Sequence, residues 1–430
     1  MRKLLSTMLA LCLLLGLTSG VSAQEAAQSD IVILFTNDIH CAVQGDIGIS
    51  GVAALKRQLI KEGNAVALVD NGDAVQGEAI GTLSKGASIV ELMNAAGYDI
   101  GIPGNHEFDY GMDRFFELVE MAEYKYISSN FMNLTTGISA LDACTILELG
   151  GKKIGFVGIS TPKSITSSTP TYFQNENGEY IYGFCQDEDG TALYENVQTT
   201  VDALRTEDVD YVIALAHLGI EAECAPWMST DVILNTTGID VVLDGHSHST
   251  IENEWVKNKE GKEVLLASTG TKLSSVGKLT IKPDGTIASA LVYYKDSGVT
   301  AKVNDIFAQH QETLNTVVAK TEVPLVINDP DTLDKEQKVR LIRNAETNLG
   351  DLCADAYRFV SGADVAVVNG GGIRTDIFAG DITYNNIINV HPYGNELCVV
   401  EVTGQQILDA LEMGARVTDR KSTRLNYSHT

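Results

Sequence analysis

Five short polar motifs, each directly after an apolar run, restrict how this chain can fold and what it can bind. They contain five of its eight histidines. The apolar runs have the composition of buried parallel strands, and in an open α/β sheet functional groups gather at the carboxyl ends of such strands. In chain order the motifs are Asn37-Asp38-Ile39-His40, Asn71-Gly72-Asp73, Gly104-Asn105-His106-Glu107, Ala216-His217 and Asp244-Gly245-His246-Ser247-His248.

The spacing within these motifs predicts a site for two divalent metals. Asp38 and His40 are two residues apart, as are His246 and His248, and residues two apart in an extended segment face the same side. Asp73 has no second ligand beside it and is therefore suited to bridge two cations. Imidazole and carboxylate together accept several divalent metals, so zinc, manganese and similar ions all remain open.

Asn105 and His106 are adjacent, so in an extended loop they should face different ways. One of them can bind metal while the other faces the substrate. His106 and Asp109 are three residues apart and could meet across a turn, with the carboxylate orienting the imidazole. This predicts His106 as a proton donor. Each motif alone is more often an ordinary loop, and only the five together carry the prediction.

Strand-like and helix-like segments mostly alternate from Ile31 to about Tyr294. Two predicted hairpins interrupt the alternation, one at residues 145–159 and the other at residues 276–294. Alternation with added hairpins predicts an α/β sandwich rather than an all-α or all-β fold.

A polar, helix-patterned stretch at Val303–Lys320 is predicted to connect this part to a second domain. After Arg416 the chain turns basic and patternless, which predicts that the second domain is incomplete. Its predicted elements are a helix at Leu349–Phe359, a strand at Asp364–Val368, a strand at Leu397–Val402 and a helix at Gln405–Gly414. The predicted boundaries are 1–23 for a signal peptide, 30–300 for a catalytic domain, 301–320 for the linker helix, 321–417 for the second domain and 418–430 for the tail.

The amino terminus predicts export to the periplasm, the cell surface or the medium. Arg2 and Lys3 precede an apolar stretch from Leu4 to Leu17, and Val21-Ser22-Ala23 is a small-residue cleavage site. No later segment is apolar enough to span a bilayer. Lys and Arg number 31 against 57 Asp and Glu, which disfavours nucleic acid and anionic membranes as partners. Scattered cysteines leave both disulfides and buried thiols open, and oligomeric state stays undetermined.

The motifs Asn-Asp-x-His, Gly-Asp-x-x-x-Gly, Gly-Asn-His-Glu-Phe-Asp and Gly-His-Ser-His resemble those of one family. It is the 5′-nucleotidase family of secreted calcineurin-like dinuclear metallophosphoesterases, which includes bacterial UDP-sugar hydrolases. The resemblance extends from Asp30 to Arg416 and implies a four-layer α/β/β/α sandwich followed by a smaller α/β nucleotide-recognition domain. It implies His106 and Asp109 as the catalytic dyad. The implied ligands are Asp38, His40, Asp73 and His248 for one metal, and Asp73, Asn105, His217 and His246 for the other.

The second domain contains the glycine-rich motif Asn369-Gly-Gly-Gly-Ile-Arg374. Alone this motif is more often a tight turn, although glycines admit close ligand approach and arginine grips phosphate. The resemblance implies substrate contacts at Arg343, Asn369, Gly371 and Arg374, and a nucleotide base stacked on Tyr393. The second base-stacking aromatic of the family has no counterpart before residue 430.

The resemblance implies an enzyme that removes phosphate from nucleoside 5′-monophosphates through in-line attack of a metal-bound hydroxide. UDP-sugars, nucleoside di- and triphosphates and 2′,3′-cyclic nucleotides are alternative substrates. A non-catalytic surface protein that binds metal or nucleotide is the alternative of another class.

Overall fold

The structure is a computed structural model that describes residues 29–44, 47–293, 300–333, 339–393, 395–415 and 425–429. The predicted signal peptide lies outside these residues. Two six-stranded sheets form the centre of the larger domain. In spatial order the first sheet contains Ile287–Val292, Val276–Ile281, Ile31–Thr36, Ala65–Asp70, Ile100–Gly101 and Lys125–Tyr126. The second contains Thr250–Lys257, Glu263–Thr269, Val241–Leu243, Tyr211–His217, Lys152–Ser160 and Cys144–Leu149.

Each sheet has four parallel strands, and antiparallel strands complete it. In the first sheet, Val276–Ile281 runs antiparallel to Ile31–Thr36 and forms the predicted hairpin with Ile287–Val292. In the second, Cys144–Leu149 and Lys152–Ser160 form the other predicted hairpin. The pair Thr250–Lys257 and Glu263–Thr269 is not in the sequence prediction.

Three apolar layers hold the two sheets and their helices together. Ile31, Ile33 and Phe35 point into the core between the sheets, where they meet residues such as Phe156 and Leu215 of the second sheet. The intervening side chains of the same strand face the opposite way, because successive residues of a strand alternate between its two faces. This makes both faces of the parallel strands apolar and explains their unbroken hydrophobic runs.

The outer faces of the sheets are covered by helices, which makes four layers and confirms the predicted α/β/β/α arrangement. Val32 and Leu34 pack with Val52 and Leu92 from helices on the first sheet. On the second sheet the covering helices are Thr191–Thr206 and Ser229–Asn235. The remaining helices are Gly48–Lys61, Ala79–Ser84, Ala87–Ala96, Met112–Met121, Ser164–Ser167, Thr300–Leu314, Asn348–Ser361, Tyr384–Val390 and Gly404–Ala415. Short 3₁₀ turns lie at His106–Phe108, Pro170–Phe173, Ala222–Cys224, Pro330–Thr332 and Gly370–Gly372.

Smaller sheets lie outside the sandwich. A three-stranded sheet joins Ile138–Ser139, Met132–Asn133 and Tyr182–Gly183, and two-stranded sheets join Val317–Thr321 to Gly380–Thr383 and Val365–Asn369 to Leu425–His429. The second domain has its own apolar core, which includes Ile327, Ile342, Leu349 and Ile373. The two domains touch where the backbone oxygen of Pro392 accepts hydrogen bonds from Gln76 Nε2 at 2.9 Å and Thr82 Oγ1 at 2.8 Å.

Three predictions for the carboxyl-terminal part are wrong. The connector helix ends at Leu314, since the β-branched run that starts at Val317 pairs as a strand with Gly380–Thr383. Residues 397–402, predicted as a strand, have no regular secondary structure. The tail was expected to be patternless, yet Leu425–His429 pairs antiparallel with Val365–Asn369. Its apolar–polar alternation is typical of a strand. The domain boundaries themselves stay a prediction.

Within the described residues, no helix has both the length and the apolar character needed to cross a bilayer. The six cysteines in this part of the chain are free thiols. Cys41, Cys224 and Cys353 are buried, which corresponds to the buried-thiol alternative for these three.

Candidate metal centre

The five polar motifs lie at the carboxyl ends of parallel strands, and both sheets contribute. In the first sheet, Asp38 and His40 follow the strand Ile31–Thr36, Asp73 follows Ala65–Asp70, and Asn105 and His106 follow Ile100–Gly101. In the second sheet, His217 is the last residue of the strand Tyr211–His217, and His246 and His248 follow Val241–Leu243. The loops pack side by side, because the amides of Asp38 and His40 donate to the backbone oxygens of Gly72 and Asp73, each at 2.9 Å. Gly72 permits this approach: its φ is 89°, and a Cβ there would lie 2.5 Å from the Gly104 nitrogen.

Five of the proposed ligand residues adopt left-handed backbone conformations. The φ angles are 50° for Asp38, 47° for His40, 59° for Asp73, 73° for His246 and 53° for His248. This region costs a non-glycine residue about 1–2 kcal/mol. The loops therefore hold their side chains inward against a local conformational preference, which is common at functional sites.

The first group of side chains consists of Asp38, His40 and His248. The Nε2 atoms of the two histidines lie 3.0 Å apart, and Asp38 Oδ1 is 3.4 Å from His248 Nε2 and 3.8 Å from His40 Nε2. His40 Nδ1 lies 3.0 Å from the backbone oxygen of Gln76, which can only accept, so Nδ1 carries the proton. Nε2 of His40 is therefore the unprotonated nitrogen of a neutral ring and points into the group, as a metal ligand requires.

The second group consists of Asp73, His217 and His246, with Asn105 beside them. His217 Nδ1 donates to the backbone oxygen of Asn71 at 2.7 Å, and Nε2 lies 3.1 Å from Asp73 Oδ2. Among the described residues this buried Nε2 has no aligned hydrogen-bond partner. A proton or a metal cation between these two atoms would satisfy both. His246 Nδ1 lies 2.9 Å from Asn105 Oδ1, so the amide oxygen of Asn105 adjoins this group of side chains.

Asp73 lies between the two groups. Its Oδ2 is 3.1 Å from His217 Nε2 and 4.0 Å from both His40 Nε2 and His106 Nε2. The ligand atoms of Asp38, His40 and His248 lie within 4.8 Å of one another, and so do those of Asp73, His217 and His246. The described residues thus fit two cations that share the Asp73 carboxylate. The donor set is mixed nitrogen and oxygen, which suits zinc, manganese and similar ions.

Burial keeps two of these imidazoles in the neutral form that binds metal. It lowers the pKa of His246 to about 3 and of His248 to about 4, so both rings are neutral at physiological pH. Burial raises the pKa of Asp38 to about 7, against the attraction of His217. It also opposes protonation of His217, but the facing Asp73 outweighs it and raises the pKa of His217 to about 10. A positive charge beside Asp73 is therefore strongly favoured, whether a proton or a cation supplies it.

His106 and Asp109 form the predicted pair. His106 Nδ1 lies 2.6 Å from Asp109 Oδ2, and Ser168 Oγ donates to Asp109 Oδ1 at 2.9 Å. His40, Asp73 and His106 also lie close enough to form a metal group. Burial lowers the pKa of His106, but the charges of Asp109 and Asp73 raise it more, so the pKa lies well above its usual range. Asp109 fixes the orientation of the His106 ring through Nδ1, which favours His106 as an acid.

The predicted substrate residues of the second domain face this pair across one cavity of about 780 Å³. Tyr393 stacks on His106 with ring centroids 5.5 Å apart and planes 18° apart, and Arg374 Cζ lies 5.6 Å from the centre of the Tyr393 ring. Asn369 Oδ1 accepts from the Gly371 amide at 2.7 Å, so part of its role is to shape the glycine turn. Arg343, Asn369, Gly371, Arg374 and Tyr393 all line the cavity together with His106 and Asp109.

Sequence reasoning missed four side chains around this centre. Ser168 holds Asp109 and has no motif of its own. Arg340 is close enough to Arg374 and Arg343 that, after burial, their charges help to lower its pKa to about 10. The buried carboxylates Glu107 and Asp244 accept backbone amides from the ligand loops. Both occur inside motifs identified from the sequence. They were overlooked because neither was assigned as a metal ligand.

The chain is similar over most of its length to known proteins. The calcineurin-like phosphoesterase model matches residues 31–250, and the 5′-nucleotidase C-terminal domain model matches residues 317–429. A 5′-nucleotidase of Vibrio parahaemolyticus is 27% identical over 96% of this chain and 80% of its own length. The trifunctional nucleotide phosphoesterase protein YfkN of Bacillus subtilis is also 27% identical, over 90% of this chain, which spans only 27% of that longer protein.

Solved structures agree at the level of the fold. The 5′-nucleotidase precursor of Thermus thermophilus superposes with a TM-score of 0.73 at 24% identity, covering 93% of this chain and 81% of that one. Fold and side-chain arrangement together define a calcineurin-like phosphoesterase, a class of phosphoester hydrolases. Within this class, the chain belongs to the 5′-nucleotidase family.

Proposed function

We propose that this protein is an exported, metal-dependent phosphohydrolase that releases phosphate from nucleoside 5′-monophosphates. One observation carries the proposal: two groups of metal-binding side chains share Asp73 and lie beside the His106–Asp109 pair. The same pair lines a cavity that contains Arg374 and Tyr393. A cavity of about 780 Å³ is within the range of about 300–1,000 Å³ typical for small-molecule sites.

Bound divalent cations would supply a reactive water at neutral pH and would offset the negative charge of the phosphoryl oxygens. The residues of this chain would hold them: Asp38, His40, Asp73 and His248 on one side, and Asp73, Asn105, His217 and His246 on the other. The buried carboxylates and neutral imidazoles are ready to bind without first losing a proton, apart from His217 and Asp38.

His106 is placed to protonate the oxygen of the leaving nucleoside. In the protonated ring Nδ1–H donates to Asp109 and Nε2–H is the proton that would be transferred, and Ser168 fixes the orientation of Asp109. General acids of this kind typically contribute about 10²–10⁴-fold to a rate. Departure of a nucleoside alkoxide without a proton is slow, which is why such an acid matters for this substrate class.

Arg343, Asn369, Gly371 and Arg374 would contact the nucleotide from the second domain, with the base stacked on Tyr393. In the structure one face of the Tyr393 ring is covered by His106. A base can therefore use that face only if the second domain moves away from the first. Such a movement would break the two hydrogen bonds to the backbone oxygen of Pro392 and would separate Ile388 from Ala79 of the first domain.

A second cavity supports a wider substrate range as an alternative. It measures about 700 Å³ and is lined by His40, His248, Lys272 and Phe378 among others. His106, Arg374 and Tyr393 border both cavities. A phosphorus atom at the metals could thus carry a group on each side, as in a nucleoside diphosphate sugar, a nucleoside di- or triphosphate or a cyclic nucleotide.

The experiment is chromatographic analysis of the hydrolysis products formed by the purified full chain, first stripped of metal and then supplied with Mn²⁺ or Zn²⁺. AMP, ATP, UDP-glucose and 2′,3′-cyclic AMP form the panel. We expect AMP to be the best substrate, activity only with added metal, and no activity in Asp73→Asn. Absence of phosphate release from AMP with metal present would refute the proposal, and preferential hydrolysis of UDP-glucose to UMP and glucose 1-phosphate would favour the alternative.

Export is a separate part of the proposal and rests on residues 1–23. Cell fractionation followed by mass measurement of the intact protein tests it. We expect an extracytoplasmic product that lacks the segment up to Ala23. A cytoplasmic product that retains Met1 to Ala23 would refute it.

A further inference from the structure

Glu107 is a buried carboxylate that the proposed mechanism does not use. Only 1% of its surface is exposed, and it lies in the turn His106–Phe108 directly after a predicted metal ligand and the predicted acid. It belongs to none of the groups of metal-binding side chains. A buried charge is costly unless it is compensated, so its partners are informative.

Four backbone amides from two different loops donate to Glu107. Oε2 accepts from Asp73 at 2.8 Å and from Gly104 at 2.6 Å, while Oε1 accepts from Ala74 at 2.7 Å and from Val75 at 3.4 Å. Three of these donors are consecutive, so the loop after the strand Ala65–Asp70 forms a nest that binds an anion. The anion in this nest is the chain's own Glu107.

Each of the two loops donates a backbone amide to a carboxylate of the other. Glu107 binds the amide of Asp73, and Asp73 Oδ1 in turn accepts the amide of His106 at 2.8 Å. Asp73 adopts the unfavourable φ of 59° within this arrangement. Without Glu107, the buried amides that face it would lose their acceptor, and a buried donor left without an acceptor is destabilising.

We propose that Glu107 is a positioning residue that sets the spacing between the Asp73 loop and the Asn105–His106 loop, and hence the geometry of the paired metal sites. It acts through backbone amides and does not touch the cations. The inference rests on the proposed function, because the spacing matters only if Asp73 and Asn105 bind metal together.

The four donors require a carboxylate and not merely a side chain of the same shape. Each of its oxygens accepts from at least one amide. A glutamine has one accepting oxygen, so in either orientation its NH₂ group would face backbone donors. Glu107→Gln should therefore lose the hydrogen bonds to one of the two carboxylate oxygens. In Glu107→Asp the side chain is one methylene shorter, so its carboxylate should be too far from the backbone amides of one loop.

The test measures metal affinity rather than turnover. Dissociation constants for Mn²⁺ and Zn²⁺ come from competition with a chromogenic chelator, and stoichiometry comes from elemental analysis of folded protein. Residues that orient metal ligands from outside the coordination shell typically change affinity about 10–100-fold. We expect a loss of this size in Glu107→Gln and Glu107→Asp for at least one of the two cations.

A matched control separates metal geometry from general stability. Asp240 Oδ2 also accepts a backbone amide, from Val212 at 2.9 Å, and pairs with Arg205 at 2.6 Å. It lies before the strand Val241–Leu243, at the opposite end from the metal groups. Asp240→Asn should lower the melting temperature of metal-free protein while leaving both metal affinities within about twofold of wild type, since no ligand loop is touched.

Three results would overturn the role of Glu107. The first is an unchanged affinity for both cations in a folded Glu107→Gln. The second is a loss of affinity in Asp240→Asn as large as in the Glu107 variants. The third is failure of both Glu107 variants to fold, because the carboxylate would then serve the whole fold. If wild-type protein itself bound no pair of cations, the proposed function would fail instead, and the two cases are distinct.

Discussion

Replacing Asp109 with alanine should slow the hydrolysis of AMP about 10- to 150-fold while both cations stay bound. The change removes the 2.6 Å contact between Asp109 Oδ2 and His106 Nδ1. A hydrogen bond to a charged group contributes about 1.5–3 kcal/mol, and each 1.36 kcal/mol is tenfold in rate. Neither carboxylate oxygen of Asp109 belongs to a group of metal-binding side chains, so metal content should not change.

The pH profile provides the sharper readout. Burial lowers the pKa of His106, whereas Asp109 and Asp73 raise it, with Tyr393 contributing in the same direction. The protonated form is present below this pKa and is lost as pH rises through it. Removing Asp109 lowers the pKa, so the alkaline limb of the AMP profile should move to lower pH and the rate loss should grow with pH.

Two esters and one control variant complete the assay. p-Nitrophenyl phosphate has a leaving group that departs without protonation, so its hydrolysis should change little. Ser168→Ala removes only the 2.9 Å contact to the far oxygen of Asp109 and should cost less than Asp109→Ala. Equal losses for both esters, or a metal missing from Asp109→Ala, would refute the assignment of His106 as the acid.

Three further changes test other parts of the site. Asp73→Asn should abolish metal-dependent turnover and reduce the bound metal seen by elemental analysis, and full metal content would contradict its bridging position. Tyr393→Ala should raise KM for AMP about 5- to 150-fold, since base stacking contributes about 1–3 kcal/mol, whereas Tyr393→Phe should be near wild type. An unchanged KM in the alanine variant would exclude stacking. Chelation should lower the melting temperature, because cations at 100 times their dissociation constant stabilise by about 2.7 kcal/mol, and Mn²⁺ should restore it. Identical melting curves with and without chelator would contradict the binding of cations at the proposed metal sites.

The part of the molecule that sequence predicts best is the part where local pattern and global fold agree. Buried strands such as Ile31–Thr36 have apolar residues on both faces, and a polar motif directly follows each one. Because the strands pair in parallel, their carboxyl ends lie at the same edge of the sheet. Motifs that are far apart in the sequence therefore lie close together in the structure. The grouping of Asp38, His40 and His248 could be foreseen for this reason.

The carboxyl-terminal part was harder because its elements depend on distant partners. Residues 397–402 are rich in valine, yet they find no strand to pair with among the described residues, and Val399 and Val400 are exposed. Leu425–His429 has a weaker pattern and forms a strand because Val365–Asn369 offers an edge. Propensity alone does not decide between such segments.

The left-handed φ angles at Asp38, His40, Asp73, His246 and His248 have an evolutionary consequence. Glycine would adopt this conformation without steric penalty at all five positions. At Asp38 and Asp73, however, glycine would also remove the carboxylates that accept the amides of His246 and His106. At His40, His246 and His248, selection against the steric penalty alone would favour glycine, and only selection for activity retains bulky, reactive side chains there. In this molecule, robustness and chemistry compete at the same few backbone positions.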